Sequence, residues 1–197
     1  ARSHRIRRVG PGAFGVIRTD LGLNATYSDV AAIRGRLALI AQSGAVCTAM
    51  LDFASPMGIG FSSVLSLGDQ VDVDAGELLD ALITDPATDG TLMYIEDIAH
   101  ARRFLSALRA AARTKPVVVL KAGRSLAGVA PDGAPSEDEV FDAALHRAGT
   151  VRVQTYTQLF AAARALAMGR IPAGDRIAIV ANGRGAALLA ADRAIDV

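Results

Sequence analysis

The sequence predicts an α/β protein: a doubly wound, five-stranded parallel sheet with helices on both faces, plus an extra C-terminal βα unit. Three observations predict it. Short apolar runs of strand length alternate with segments of helical period through five successive units. The run at 117–121 carries consecutive β-branched residues, as in a sheet covered on both faces. Gly and Pro punctuate the helix ends, at Pro56 and Gly58, Pro86, Pro116 and Gly149.

Taken in order, residues 6–9 predict a short strand. Gly10-Pro11-Gly12-Ala13-Phe14-Gly15 is a tight loop, and 16–19 a second short strand. Residues 20–34 show no period and are expected to be a connector. The regular pattern starts with a strand at 37–41, turns at Gln42-Ser43-Gly44, and continues as a helix over 44–55. Strands are expected at 61–67, 91–95, 117–121 and 151–153. Helices are expected at 76–84, 99–113, 137–148 and 155–168. Five strands in this alternation favour the flavodoxin-like order 2-1-3-4-5, with ligands at the carboxyl ends of the strands. After a linker at 170–175 the theme restarts with a strand at 176–181, a turn at Asn182-Gly183-Arg184-Gly185 and a helix at 186–194. One βα unit cannot bury its own apolar face, so it opens a further domain or docks on the first.

With 197 residues and 51% hydrophobic content the chain can bury a substantial core. The 21 basic and 20 acidic residues leave a net charge of +1, without a nucleic-acid footprint or a polybasic membrane patch. The single cysteine, Cys47, excludes an internal disulfide framework and falls among apolar helical residues, so it is expected in the core. No apolar run approaches the ~20 residues of a membrane span. The N-terminal residues ARSHRIRRVG lack the apolar stretch of a signal peptide. A cytoplasmic protein, cut from a longer one, is the expectation.

Three places can carry chemistry. A strand that feeds a helix through Ser43-Gly44 leaves backbone N–H groups at the positive end of the helix dipole, an anion seat formed by Gln42, Ser43, Gly44 and Ala45. The plain alternative is a strand–helix turn with a Ser cap. Glu96, followed by Asp97, stands just past the strand at 91–95, where this fold class faces its ligand; the alternative is capping of the next helix. Asn182-Gly183-Arg184-Gly185 is a second Gly-rich helix start, or a plain turn. His100 and His146 fall on helices with charged neighbours and are read as solvated. No His/Cys/Asp set has metal-ligand spacing, so no metal is expected.

The strings LIAQSGAVCTAMLDFA, FSSVLSLGDQVDVDAGELLDAL, LMYIEDIAHARRFLSALRAAARTKPVVVLKAGRS and DAALHRAG resemble the NDP-forming acyl-CoA synthetases, the superfamily of succinyl-CoA ligase. The resemblance implies that 1–35 is the tail of a CoA-binding domain, 36–172 a flavodoxin-type ligase domain, and 173–197 the start of a second ligase-like domain. It makes Gly10-Pro11-Gly12 the counterpart of a GPN-type loop that touches CoA, with Gly12 where the family has Asn. In the family a loop histidine carries phosphate, helix N-termini stabilise it, and a glutamate orients the imidazole. Gln42-Ser43-Gly44 and 182–185 match the two helix starts, and Glu96 matches the glutamate.

The departure lies in 126–136, which is short and has no histidine. A His-less loop resembles one branch, bacterial protein lysine acetyltransferases in which an inactive ligase-like region is fused to a GNAT domain. A non-catalytic regulatory segment of such a protein is therefore the leading expectation. The alternatives are the CoA-ligase domain of an active NDP-forming synthetase, and a scaffold or oligomerisation module. The fragment alone is expected to bind no cofactor, whereas the parent protein would use CoA or acyl-CoA and, in the ligase case, ATP. Expected partners are CoA-binding, ATP-grasp or GNAT domains of the same polypeptide, and a second copy of the chain. A phosphate or sulfate is expected at Ser43, Gly44 and Ala45, unless Asp132 fills that seat with its own carboxylate.

Overall fold

The computed structural model describes residues 4, 6–123, 134–169, 174 and 176–196. The interval 124–133, with Asp132, lies outside the described residues, as does most of the expected linker. The elements run β1 (Gly15–Arg18), a 3-10 turn (Thr19–Leu21), β2 (Leu23–Thr26), β3 (Arg34–Ala41), α1 (Gly44–Ala54), β4 (Phe61–Ser66) and α2 (Ala75–Ile83). They continue as β5 (Gly90–Ile95), α3 (Ala101–Ala112), β6 (Val117–Lys121), α4 (Glu137–Ala148), β7 (Val151–Val153), α5 (Tyr156–Ala167) and α6 (Arg184–Ile195).

The sheet has seven strands in the order β2-β1-β4-β3-β5-β6-β7. Its parallel part, β4-β3-β5-β6-β7, has the expected order 2-1-3-4-5. Of the other two, β1 matches the short strand expected at 16–19, and β2 is an addition to the strands expected. β1 pairs antiparallel with both β4 and β2, so part of the expected connector is a strand. β2, LNAT, is exposed on an edge and needs no apolar alternation to form, which is why its period is silent. Residues 6–9 form no strand, nor do 176–181.

β3 sits at the centre, and Ala38, Leu39, Ile40 and Ala41 are all fully buried. Alternate side chains serve opposite faces. Leu39 and Ala41 join Val46, Cys47, Met50 and Leu51 of α1 and Leu159 and Ala163 of α5. Ile40 joins Leu79 of α2, Phe104 and Leu108 of α3, and Phe141 and Leu145 of α4. Phe14 and Ile17 enter the first of these cores, so the segment before β3 is built into the same sheet and core.

Local signals explain the helix ends. Asp74 caps α2 through the Glu77 amide at 3.0 Å. Ser136 and Glu139 form a capping box on α4, which Gly149 closes in the left-handed region at φ +78°. α6 forms as a helix but buries none of its residues.

Candidate functional site

Parallel strands all end on one side, so the loops after β3, β4, β5 and β6 share one rim. At the β3 end, Ser43 has extended backbone (φ −97°, ψ 125°) and its side chain makes no capping bond. The capping alternative for Ser43 therefore does not hold. Gly44 is crowded: a Cβ there would stand 3.0 Å from both the Phe14 Cβ and the Tyr27 hydroxyl. Phe14 is buried, and its ring meets Tyr27 edge-on at 5.3 Å.

Phe14 brings the Gly-Pro-Gly loop to this turn. Its amide donates to Ser66 Oγ at 2.9 Å, and the Pro11 carbonyl accepts from the Asp69 amide at 3.0 Å. Gly68 (φ +56°) passes so close that a Cβ would lie 2.0 Å from the Pro11 oxygen. Gly12 (φ +71°) faces open space, with Asp69 Oδ1 at 3.9 Å the nearest atom to a Cβ built there. The two helix-start and loop motifs that sequence reading treated separately are thus neighbours.

The loop after β5 is tied to the same turn by Gln42. The Gln42 Oε1 accepts from the amides of Glu96 and of Asp97, the latter at 2.9 Å, and its Nε2 donates to the Asp97 carbonyl at 3.0 Å. The Gln42 amide itself donates to the Tyr94 carbonyl at 3.1 Å. The Gln42 side chain is therefore spent on the protein and not on an anion. Gln70, at φ +52°, adds a second bond from its Nε2 to the Asp97 carbonyl at 3.3 Å, while its Oε1 accepts from the Ala75 amide at 3.1 Å.

Glu96 is exposed at this rim. Burial, then Tyr156, then Glu96 push the Tyr94 hydroxyl well above the usual tyrosine range. Tyr94 also stacks on Tyr156 at 5.9 Å. Lys121, at the end of β6, donates to the Ala122 carbonyl at 3.1 Å and the Glu96 carbonyl at 3.4 Å.

Cys47 is fully buried, and burial pushes its thiol up to about 12, against a smaller opposing effect of Ser66. It is a core residue. Sequence reading missed a cluster beside the site. Asp74 takes His100 Nδ1 at 3.0 Å and the Arg103 guanidinium on one carboxylate oxygen, so His100 is paired as well as solvated. No spacing signal joins residues 26 apart on two elements. Asn182, Gly183, Arg184 and Gly185 are exposed, and among the described residues no hydrogen bond or ion pair links them to 42–45. Among the described residues no three His, Cys, Asp or Glu side chains could hold a metal, and no helix is long and apolar enough to cross a membrane.

A mostly parallel sheet with helices on both faces, whose rim brings together a Gly-rich loop, a helix start and the loop of Glu96, is an α/β protein of the flavodoxin-like class. The chain belongs to the succinyl-CoA ligase like flavodoxin domain family, whose model matches residues 34–166. It is 36% identical, over 98% of its length and 43% of the relative's, to the alpha subunit of ADP-forming acetate–CoA ligase I of Pyrococcus furiosus. It is 34% identical, over 98% of its length and 29% of the relative's, to the ADP-forming 4-hydroxybutyrate–CoA ligase of Nitrosopumilus maritimus. Among solved structures, it matches acetyl-coenzyme A synthetase 1 of Ca. Korarchaeum cryptofilum with a TM-score of 0.89 and 32% identity, over 100% of this chain and 44% of that one. The same synthetase in complex with phosphate and ADP matches with a TM-score of 0.88. The chain thus spans less than half the length of these relatives. All three are archaeal ligases or synthetases, and none supports the expected bacterial acetyltransferase.

Proposed function

We propose that this chain is the CoA-ligase domain of an NDP-forming acyl-CoA synthetase. Such an enzyme joins a carboxylic acid to the CoA thiol and splits a nucleoside triphosphate to diphosphate and phosphate. The observation that carries the reading is the end-to-end match, 36% identity over 98% of the chain, to the alpha subunit of an ADP-forming ligase. The rim supports it. The start of α1 offers the positive helix end, which would favour an anion, and the Gly10-Pro11-Gly12 loop lies one side chain away, through Phe14. Gly12 does not disqualify that loop, because φ +71° suits Asn as well as Gly. Glu96 is exposed at that rim, where it would orient, or accept a proton from, an imidazole brought there by another part of the enzyme. Nucleotide and CoA would come with other domains or subunits of the same enzyme.

The absence of histidine from 126–136 favours a second reading, a ligase-like module that regulates a fused acyltransferase. In the first reading the phosphate carrier comes from outside that interval. The full-length polypeptide, given acetate, CoA and ATP, separates the two. Acetyl-CoA and ADP in equal amounts, formed at a much lower but measurable rate in Glu96→Gln, are expected. No ADP release, together with an acyltransferase rate that responds to substitutions at Ser43 or Glu96, would establish the second reading instead.

A further inference from the structure

Glu96 sits on a loop, and a loop carboxylate is a poor tool unless something holds its backbone. Two glutamines from different strands converge on that backbone. Gln42, at the end of β3, engages three of its polar groups: both amides of 96 and 97 and the carbonyl of 97. Gln70, past the end of β4, bonds the same carbonyl and reaches the start of α2 through the Ala75 amide. A primary amide donates through its nitrogen and accepts through its oxygen, and both ends of both glutamines are used. The pattern also has a cost. Gln70 is buried at φ +52°, a region that non-glycine residues rarely occupy.

We infer that Gln42 and Gln70 form a two-point clamp that presets Glu96 at the rim, acting as positioning residues rather than as anion ligands. The inference rests on the proposed role of Glu96. It assigns the Gln of the Gln42-Ser43-Gly44 turn to the neighbouring loop. The Gln42 bonds couple the two loops directly, so a substitution at either glutamine should move Glu96 without touching substrate.

The test has two arms. In the chain itself, amide exchange at Glu96 and Asp97 should quicken at least tenfold in Gln42→Ala, and should quicken also in Gln70→Gly, which keeps the backbone conformation without the side chain. Unchanged exchange at both amides in both variants overturns the clamp. In the full-length polypeptide, Gln42→Ala should lower kcat about ten- to a hundredfold with little change in KM, since misplacement of about an ångström has effects of that size. In a Glu96→Gln background the same substitution should lower kcat no further, because residues acting as one unit are non-additive. Full additivity of the two losses overturns the positioning role, and a raised KM with kcat intact identifies Gln42 as a ligand contact. If the unaltered polypeptide makes no acyl-CoA, the proposed function fails, and the exchange arm still decides the clamp. Should Gln42→Ala fail to fold, Gln42→Met, of similar length and without polar atoms, replaces it.

Discussion

Gly68 and Gly12 share a left-handed backbone and differ in their surroundings, which separates two effects that glycine usually mixes. At Gly68 a methyl group would strike the Pro11 carbonyl at 2.0 Å and the Ala13 amide at 2.7 Å, both backbone. Gly68→Ala should therefore cost about 3 kcal/mol or more, read as a shift in the urea midpoint. Gly12→Asn meets open space at a φ that Asn tolerates, and should cost less than about 1 kcal/mol in the same measurement. Cys47 is sealed by α1 and the sheet. Iodoacetamide should leave it unmodified in the native protein and alkylate it once urea unfolds the chain, as mass spectrometry will report. Two buried carboxylates set the acid limit. Burial pushes Asp85 up, but Thr88, the Ala87 amide and Arg18 outweigh it and hold the carboxyl below its ordinary 3.8. Burial likewise pushes Asp74 up, while the Glu77 amide, Arg103 and His100 hold it below 3.8. A carboxyl with a lowered folded-state pKa adds stability that is complete above its unfolded value and lost as pH falls through the folded one. The melting temperature should thus hold down to about pH 4–5 and fall below it, with a shallower fall in Asp85→Asn.

At the scale of elements, packing decides what a helix contributes. α4 has a capping box, but it also docks through Arg152 of β7, whose side chain is only 10% exposed and pairs with Asp138 and Asp142. Arg152 further covers the Phe141 ring at 5.6 Å. Ser136→Ala should lose about 1 kcal/mol from the cap alone. α6 is the opposite case. Its 12 residues bury nothing, and Leu189 and Ile195 are 73% and 83% exposed. An unpacked helix of that length is marginal in water. Removing residues 176–197 should leave the melting temperature of the rest within about 2 °C, since a change below ~0.5 kcal/mol moves it no further. A larger drop would mean that the unit docks on the sheet.

For the whole molecule, the family match and the fold have different limits. The matching model begins at residue 34, whereas the sheet begins with β1 at Gly15. A chain started at residue 34 would uncover the edge of β4 and remove Phe14 and Ile17 from the core. Burial of two such side chains is worth about 3–6 kcal/mol. That shortened chain should unfold at markedly lower urea than one started at residue 6, and its open edge should show as aggregation by light scattering. It would also lose the Gly-Pro-Gly loop, so the same cut should weaken any anion binding at Ser43 and Gly44.

The parallel strands, the helices between them and the strand order were legible in the sequence, because buried strands must be apolar and covering helices must be amphipathic. Local residue types also marked the loops that the fold brings together at one rim: Gln42-Ser43-Gly44, Glu96 and Gly10-Pro11-Gly12. What those residues do there was not legible. That Gln42 serves the neighbouring loop, that Phe14 wedges against Gly44, and that Asp74 pairs with His100 depend on which strand lies beside which, and no period along the chain encodes such contacts. β2 was silent because an exposed edge strand needs no apolar pattern, and it forms only when β1 offers hydrogen-bond partners. The stretch 176–181 carries the pattern of a strand and forms none, for the converse reason. A strand is completed by its neighbour, and within the described residues none pairs with it.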